Sequence, residues 1–328
     1  MISAPNETVT DNGPNINQVE VIIYVVILIF ESTVSMLGGV LVCLTFISVR
    51  TISCKPTSKL IVNLAVSDAA MGALVLPFTA FTVSNQAWIF GDVMCQIEGF
   101  IRTFLSQVQR STLLLIAVDR LLRIKFRFSY GRRSHTMVYP ILIMWIMNIP
   151  LAVPPLFGWS EFKWEPHKPS CTVDWLVSLS YSITFLTVFG FILQGVITVC
   201  YMLIFREVRA SRLRVQAAVV DHGGRVNRLG ANMTPSPRHP HSNIFMTKDE
   251  IAIARTMIVL VILSSILSLP YIISHLISLI RNSPLSYRNE MTITILVYLN
   301  NCLNPVIYGV TNSRFRQGFK TVLRWQNA

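Results

Sequence analysis

Seven stretches of at least about 20 largely apolar residues, each bounded by charges, decide most of what this chain can become. They run over 21–49, 59–84, 95–122, 136–157, 176–205, 251–280 and 291–310. A bilayer core of roughly 30 Å takes about 20 apolar residues in helical form. In lipid every backbone N–H and C=O must be satisfied internally, which leaves helices as the form for such runs. Of the 328 residues, 52% are hydrophobic and 13% charged, and an ordinary soluble domain carries nearly twice that charge. Most of the polypeptide must therefore face lipid or other helices. The expected fold is an all-α membrane protein: a seven-transmembrane helix bundle with a short amphipathic eighth helix.

The runs divide the chain into a polar tail over 1–20, a body over 21–310 and a last segment over 311–328. The tail has no basic start followed by an apolar stretch, so the first span is expected to direct insertion itself. Residues 209–248, rich in Arg, His, Pro and Gly, read as a mostly disordered loop. No internal repeat or second domain is visible.

Cytoplasmic loops retain Lys and Arg, and here the bases are lopsided. Arg50, Lys55 and Lys59 lie between the first two spans, Arg123, Lys125, Arg127, Arg132 and Arg133 between the third and fourth, and Arg314, Arg316, Lys320 and Arg324 after the last. The long loop over 209–248 is basic as well. Glu7, Asp11, Glu20, Asp92, Glu161, Glu165, Asp174 and Glu290 gather on the other side. The expected placement is a multi-pass plasma-membrane protein with its N-terminus extracellular, where Asn6-Glu7-Thr8 is a glycan acceptor on the correct side. The net charge of +12 flanks membrane spans, where orientation and anionic lipid account for it, so nucleic acid is not an expected partner.

Polar residues inside spans cost roughly 2.5–3.5 kcal/mol each on insertion scales, so those that remain need a reason. Span two reads Asn63-Leu64-Ala65-Val66-Ser67-Asp68, span three ends in Asp119-Arg120-Leu121, and span seven holds Asn300, Asn301 and Asn304-Pro305-Val306-Ile307-Tyr308. In these helices and in this order they resemble the signature motifs of rhodopsin-like, G-protein-coupled receptors. Trp145, Tyr201 and Pro270 add to a resemblance that covers nearly the whole chain. It implies a disulfide between Cys95 and Cys171. It also implies a G-protein-facing switch of Asp119, Arg120, Tyr201, Asn304, Pro305 and Tyr308, and a latch from Arg120 to Glu250. The alternative reading of Glu250 is an exposed helix-start acid favoured by the helix dipole. Asp68, Asn300 and Asn304 would form a polar relay or sodium site, although Gln109 stands where a serine ligand is usual, and buried Asn and Asp can also simply bond neighbouring helices. The other cysteines, Cys43, Cys54, Cys200 and Cys302, read as free thiols. Phe315, Phe319 and Val322, at helical spacing among bases, suit an interfacial eighth helix.

The second outer loop, Gly158-Trp159-Ser160, Glu165 and Ser170-Cys171-Thr172-Val173-Asp174-Trp175, looks like that of an opsin. Glu98 and Glu165 match the two opsin counterion positions. Tyr298 occupies the place of the retinal-binding lysine, and a phenol cannot form an imine. The seven lysines, 55, 59, 125, 163, 168, 248 and 320, lie in loops or at cytoplasmic helix ends. The resemblance is therefore to opsin-like receptors that lack this lysine, such as the placopsins. It implies no covalent cofactor, while leaving room for a retinoid held non-covalently. Arg102, one turn after Glu98, can pair with it or bind the carboxylate of a ligand.

Several positions depart from the family pattern. Ser268 replaces the span-six tryptophan, Leu193 the span-five proline and Gly39 the span-one asparagine, while Arg110 takes a place normally apolar. The leading expectation is a receptor for an unknown small ligand that acts on a heterotrimeric G protein, with arrestin and membrane lipid as further partners. Rivals are another receptor of this family, for a lipid or peptide, and a non-signalling retinoid binder. A light-driven pump would need a membrane lysine. No nucleophile–base set, metal cluster or phosphate loop suggests an enzyme.

Overall fold

The computed structural model describes residues 16–49, 56–125, 137–166, 168–228 and 248–325. Seven long helical segments cross the described structure. They are α1 (Gln18–Ser48), α2 (Pro56–Leu74) continued by α3 (Leu76–Asn85), α4 (Gly91–Ile124), α5 (Val138–Ala152), α6 (Leu179–Phe185) continued into α7 (Leu193–Arg228), α8 (Lys248–Arg281) and α9 (Tyr287–Thr311). Helix α10 (Ser313–Trp325) follows.

Six of the seven are long and apolar enough to cross a membrane; α4 falls outside that description although the sequence expectation counted seven. The reason lies in its neighbours. It packs against α2, α5 and α7, and its buried face runs from Cys95 through Glu98, Gln107, Gln109 and Asp119 to Arg120. A helix in the middle of a bundle can carry charge inward. Helix α1 shows the opposite arrangement, with Ile22, Val26, Ile29, Phe30 and Leu37 all exposed, as lipid rather than water would favour.

Local breaks follow the residues. Helices α2 and α3 part at Val75, two residues before Pro77, whose ring removes a backbone donor. Between α6 and α7 a wide π-helical turn spans Leu186–Ile192, directly before Leu193, which stands where the family has a proline. Pro270 and Pro305 lie inside α8 and α9. Helix α7 departs from expectation. Its backbone stays helical to Arg228, well into 209–248, since Arg, Ala, Leu and Gln there are good helix formers. Residues 229–247 lie outside the described part.

Two β-strands, β1 (Phe162–Lys163) and β2 (Thr172–Val173), pair antiparallel in the loop after α5. A disulfide between Cys95 and Cys171 ties this hairpin to the start of α4. Gly99 lets it sit close, because a Cβ there would lie 2.6 Å from Phe162. Packing divides into an inner cluster around Leu64, Ile116, Met257 and Tyr308, an outer one around Leu28, Val75, Met291 and Tyr298, and a third beneath the hairpin around Trp175 and Tyr181. Helix α10 docks on α1 and α9, with Phe315 buried and stacked on Tyr308 at 5.5 Å.

Candidate functional site

A cavity of about 130 Å³ lies between α4, the π-helical turn, α8 and α9, with the hairpin over it. Its wall is largely apolar and aromatic, through Trp175, Phe185, Phe189, Tyr271 and Ile272. Edge-to-face contacts of Trp175 with Phe185 at 5.3 Å and with Tyr271 at 6.3 Å hold that wall in place. Polar groups enter mainly from α4, α8 and α9: Arg102, Gln109, Arg110, Ser264, Ser268 and Tyr298.

Glu98 and Arg102 meet as their spacing suggested. Arg102 donates to one carboxylate oxygen of Glu98 from Nε at 3.1 Å and from Nη2 at 2.5 Å, and also to Thr79 Oγ1 at 2.8 Å. Its guanidinium lies over the Tyr298 ring, 5.6 Å from the centroid, a cation–π geometry. The second oxygen of Glu98 is buried with no hydrogen-bond partner. Arg102 is thus held by three groups from three helices. Glu165, the other counterion-like acid, pairs instead with Lys168 in the loop at 3.0 Å and is not among the residues lining the cavity. Lys168 is buried there, within electrostatic reach of His275, and no described lysine lines the cavity.

Arg110 has a different setting. It lines the cavity two turns below Arg102, near the phenol of Tyr271, and makes no hydrogen bond or ion pair with any described residue. Ser264 and Ser268 line the same region.

Below, Asp68 accepts Nδ2 of Asn304 at 2.8 Å on one oxygen and Nε2 of Gln109 at 3.0 Å on the other. Two amide donors therefore occupy the carboxylate where a cation would bring positive charge. Asn300 does not join this network; it lines the cavity, one turn too far out to reach Asp68. Asn63 bridges helices separately, donating to Thr112 Oγ1 at 2.8 Å and accepting Trp145 Nε1 at 2.9 Å.

At the inner end, Arg120 pairs with its neighbour Asp119 at 2.5 Å, and Arg123 holds the other Asp119 oxygen at 2.8 Å. Tyr201, within electrostatic reach of Arg120 and Asp119, and Tyr308 are both buried in the inner cluster. Pro305 packs against Gly38 of α1, where a Cβ would come within 2.6 Å. The Glu250 side chain, Asn6 and Cys54 lie outside the described residues.

Three buried polar groups escaped the sequence reading. Glu31 in α1 and Gln107 in α4 have no hydrogen-bond partner for their side-chain polar atoms, and His275 packs on Tyr271 at 4.3 Å in the cavity wall. A carboxylate midway along an apolar run was the available signal for Glu31. The other two sit in helices already rich in polar residues, where one more does not stand out.

The description of seven-transmembrane receptors of the rhodopsin family matches residues 38–308. A Gq-coupled rhodopsin from Mizuhopecten yessoensis is 29% identical over 82% of this chain and 53% of that protein. A melanopsin from Branchiostoma belcheri is 28% identical over 87% of this chain and 40% of its own length. The chain spans about half the length of these curated relatives. Squid rhodopsin shares its fold, with a TM-score of 0.77 at 20% identity over 94% of this chain and 87% of that one. A sequence match of that extent, on a bundle of this shape, means that the chain belongs to the rhodopsin family of seven-transmembrane receptors, as an opsin-like member.

Proposed function

We propose that this chain is a plasma-membrane receptor, N-terminus outside, that promotes nucleotide exchange on a heterotrimeric G protein without covalent retinal. The observation that carries this reading is the cavity itself: it lies under a bridged hairpin, and Tyr298 stands in it beneath Arg102 with no lysine lining it among the described residues. An imine needs a primary amine, so a ligand here is held by contacts alone. Such a ligand shifts the helix arrangement only through different affinities for the two states.

Arg120 is the residue assigned to face the G protein. Its ion pair with Asp119 keeps it within α4, and release of that pair as the inner ends separate would free the guanidinium. Tyr201 and Tyr308, both buried in the inner cluster, would fill the space it leaves. Asp68 with Asn304 links α2 to α9 and would carry the shift inward. Glu250 as a latch, arrestin as a second partner and a glycan at Asn6 belong to the same reading.

The test is G-protein activation in cells expressing the chain or Arg120→Ala, read with a panel of Gα sensors in darkness and light, with and without retinal. A signal that requires Arg120 and ignores light is the expected result. After incubation with retinal and borohydride, the peptide containing Tyr298 should carry no adduct by mass spectrometry. Retinoid binding that survives Arg120→Ala with no signal under any condition would favour a non-signalling retinoid binder.

A further inference from the structure

Two departures from the family pattern meet in one place. Arg110 puts a guanidinium deep in the bundle at the cavity wall, and Ser268, where a bulky indole is usual, lines the same cavity. Eight residues of helix set Arg110 about 12 Å deeper than Arg102.

The other charges around the cavity are accounted for. Arg102 is neutralised by Glu98, Lys168 by Glu165, and Asp68 holds two amides. Glu290, at the outer end where α9 begins, lies near Tyr271 and has partners of its own. Arg110 alone among these cations has no described hydrogen-bond or ion-pair partner. An uncompensated charge in a water-poor interior is costly, and an anion offering two oxygens to the guanidinium fork offsets that cost. The space above it is aromatic, through Phe185, Phe189, Trp175 and Tyr271, so the rest of the occupant is apolar.

We infer that the cavity binds an amphiphilic carboxylate, head down, with its acid group on Arg110 and its apolar body against the aromatic wall under the hairpin. Ser264 and Ser268 add hydroxyls to the same cavity. Arg102 serves structure, since Glu98, Thr79 and the Tyr298 ring already engage it. This rests on the receptor reading only in taking the cavity as the ligand site, and the test uses binding rather than signalling so that the two can fail separately.

The experiment uses the full chain, purified in neutral detergent, and two acid and alcohol pairs on matched skeletons small enough for the cavity: 3-phenylpropionate with 3-phenylpropanol, and hexanoate with hexanol. Binding is read by quenching of tryptophan fluorescence, to which Trp175 in the wall contributes, and by thermal unfolding. At least one acid should bind about 10- to 100-fold tighter than its alcohol, as a charge-assisted pair provides. Arg110→Gln should abolish that preference, Arg110→Lys should retain part of it and Arg102→Gln should leave it in place. With no ligand, Arg110→Gln should unfold at a higher temperature than the unmodified chain, because an unpaired charge has gone. Equal affinities within both pairs, no binding of either acid, or a preference that survives Arg110→Gln would overturn the assignment. So would a lower unfolding temperature for ligand-free Arg110→Gln, or stabilisation by sodium chloride or bromide in place of the acids.

Discussion

Arg102→Gln is expected to destabilise the receptor more than the double replacement Arg102→Gln with Glu98→Gln. In the folded chain the Glu98 side chain is fully buried and Arg102 only slightly exposed, with both donated hydrogens on one oxygen. The other Glu98 oxygen has no partner, so loss of Arg102 strands the whole carboxylate. Breaking one side of a buried ion pair costs about 3–5 kcal/mol, whereas replacing both sides with neutral groups is often close to neutral. Glu98→Gln alone should cost about 1–2 kcal/mol, since Thr79 and the Tyr298 ring still hold Arg102. The double-mutant cycle should therefore return a coupling of about 4–7 kcal/mol. At about 2–4 °C per kcal/mol for a chain of this size class, Arg102→Gln should lower the unfolding temperature by about 10 °C and the double variant by much less. A thiol-reactive fluorophore reads this directly, because Cys200 and Cys302 are buried until the bundle opens. If the double variant falls by the sum of the two single ones, the pair is not coupled and the reasoning fails.

Gly39→Asn, which restores the family's usual residue, should destabilise rather than repair. A Cβ there would lie 2.5 Å from the Ala65 carbonyl and 2.8 Å from Ala69 Cβ, so the same dye assay should show a loss of about 1–3 kcal/mol. Cys171→Ser opens a loop whose cysteines are 76 residues apart; on chain entropy it should lose about 4 kcal/mol, and reductant should lower the unfolding temperature of the unmodified chain but not of the variant. Ser268→Trp should fill the space over Arg110 and remove any ligand-dependent signal while surface expression, measured by antibody, persists.

How much of this was legible depends on how far each feature reaches. The apolar runs announce the helices, and Asp119-Arg120 and Asn304-Pro305 mark the ends that meet inside. The Glu98–Arg102 pair follows from i, i+4 spacing on one helix, which is local geometry. Asn300 and Asn304 share that spacing as well, yet only Asn304 reaches Asp68, because the tilt and depth of α9 against α2 decide which turn lies opposite. The π-helical turn before Leu193 escaped notice because no proline marks it. The helical stretch to Arg228 was hidden by a basic composition that resembles disorder when each residue is counted apart from its neighbours.

By itself the sequence determined the hydrophobic pattern, and with it a bundle of helices in lipid. It also excluded an imine at position 298, since no packing turns a phenol into an amine. Only the tertiary structure decided which charges find partners on other helices. Arg102 and Arg110 are both arginines within one polar helix, but one meets Glu98, Thr79 and Tyr298 while the other lines the cavity that Ser268 also lines. Partners from different helices are chosen by how those helices pack, and a side chain's own residue type carries no record of who stands across from it.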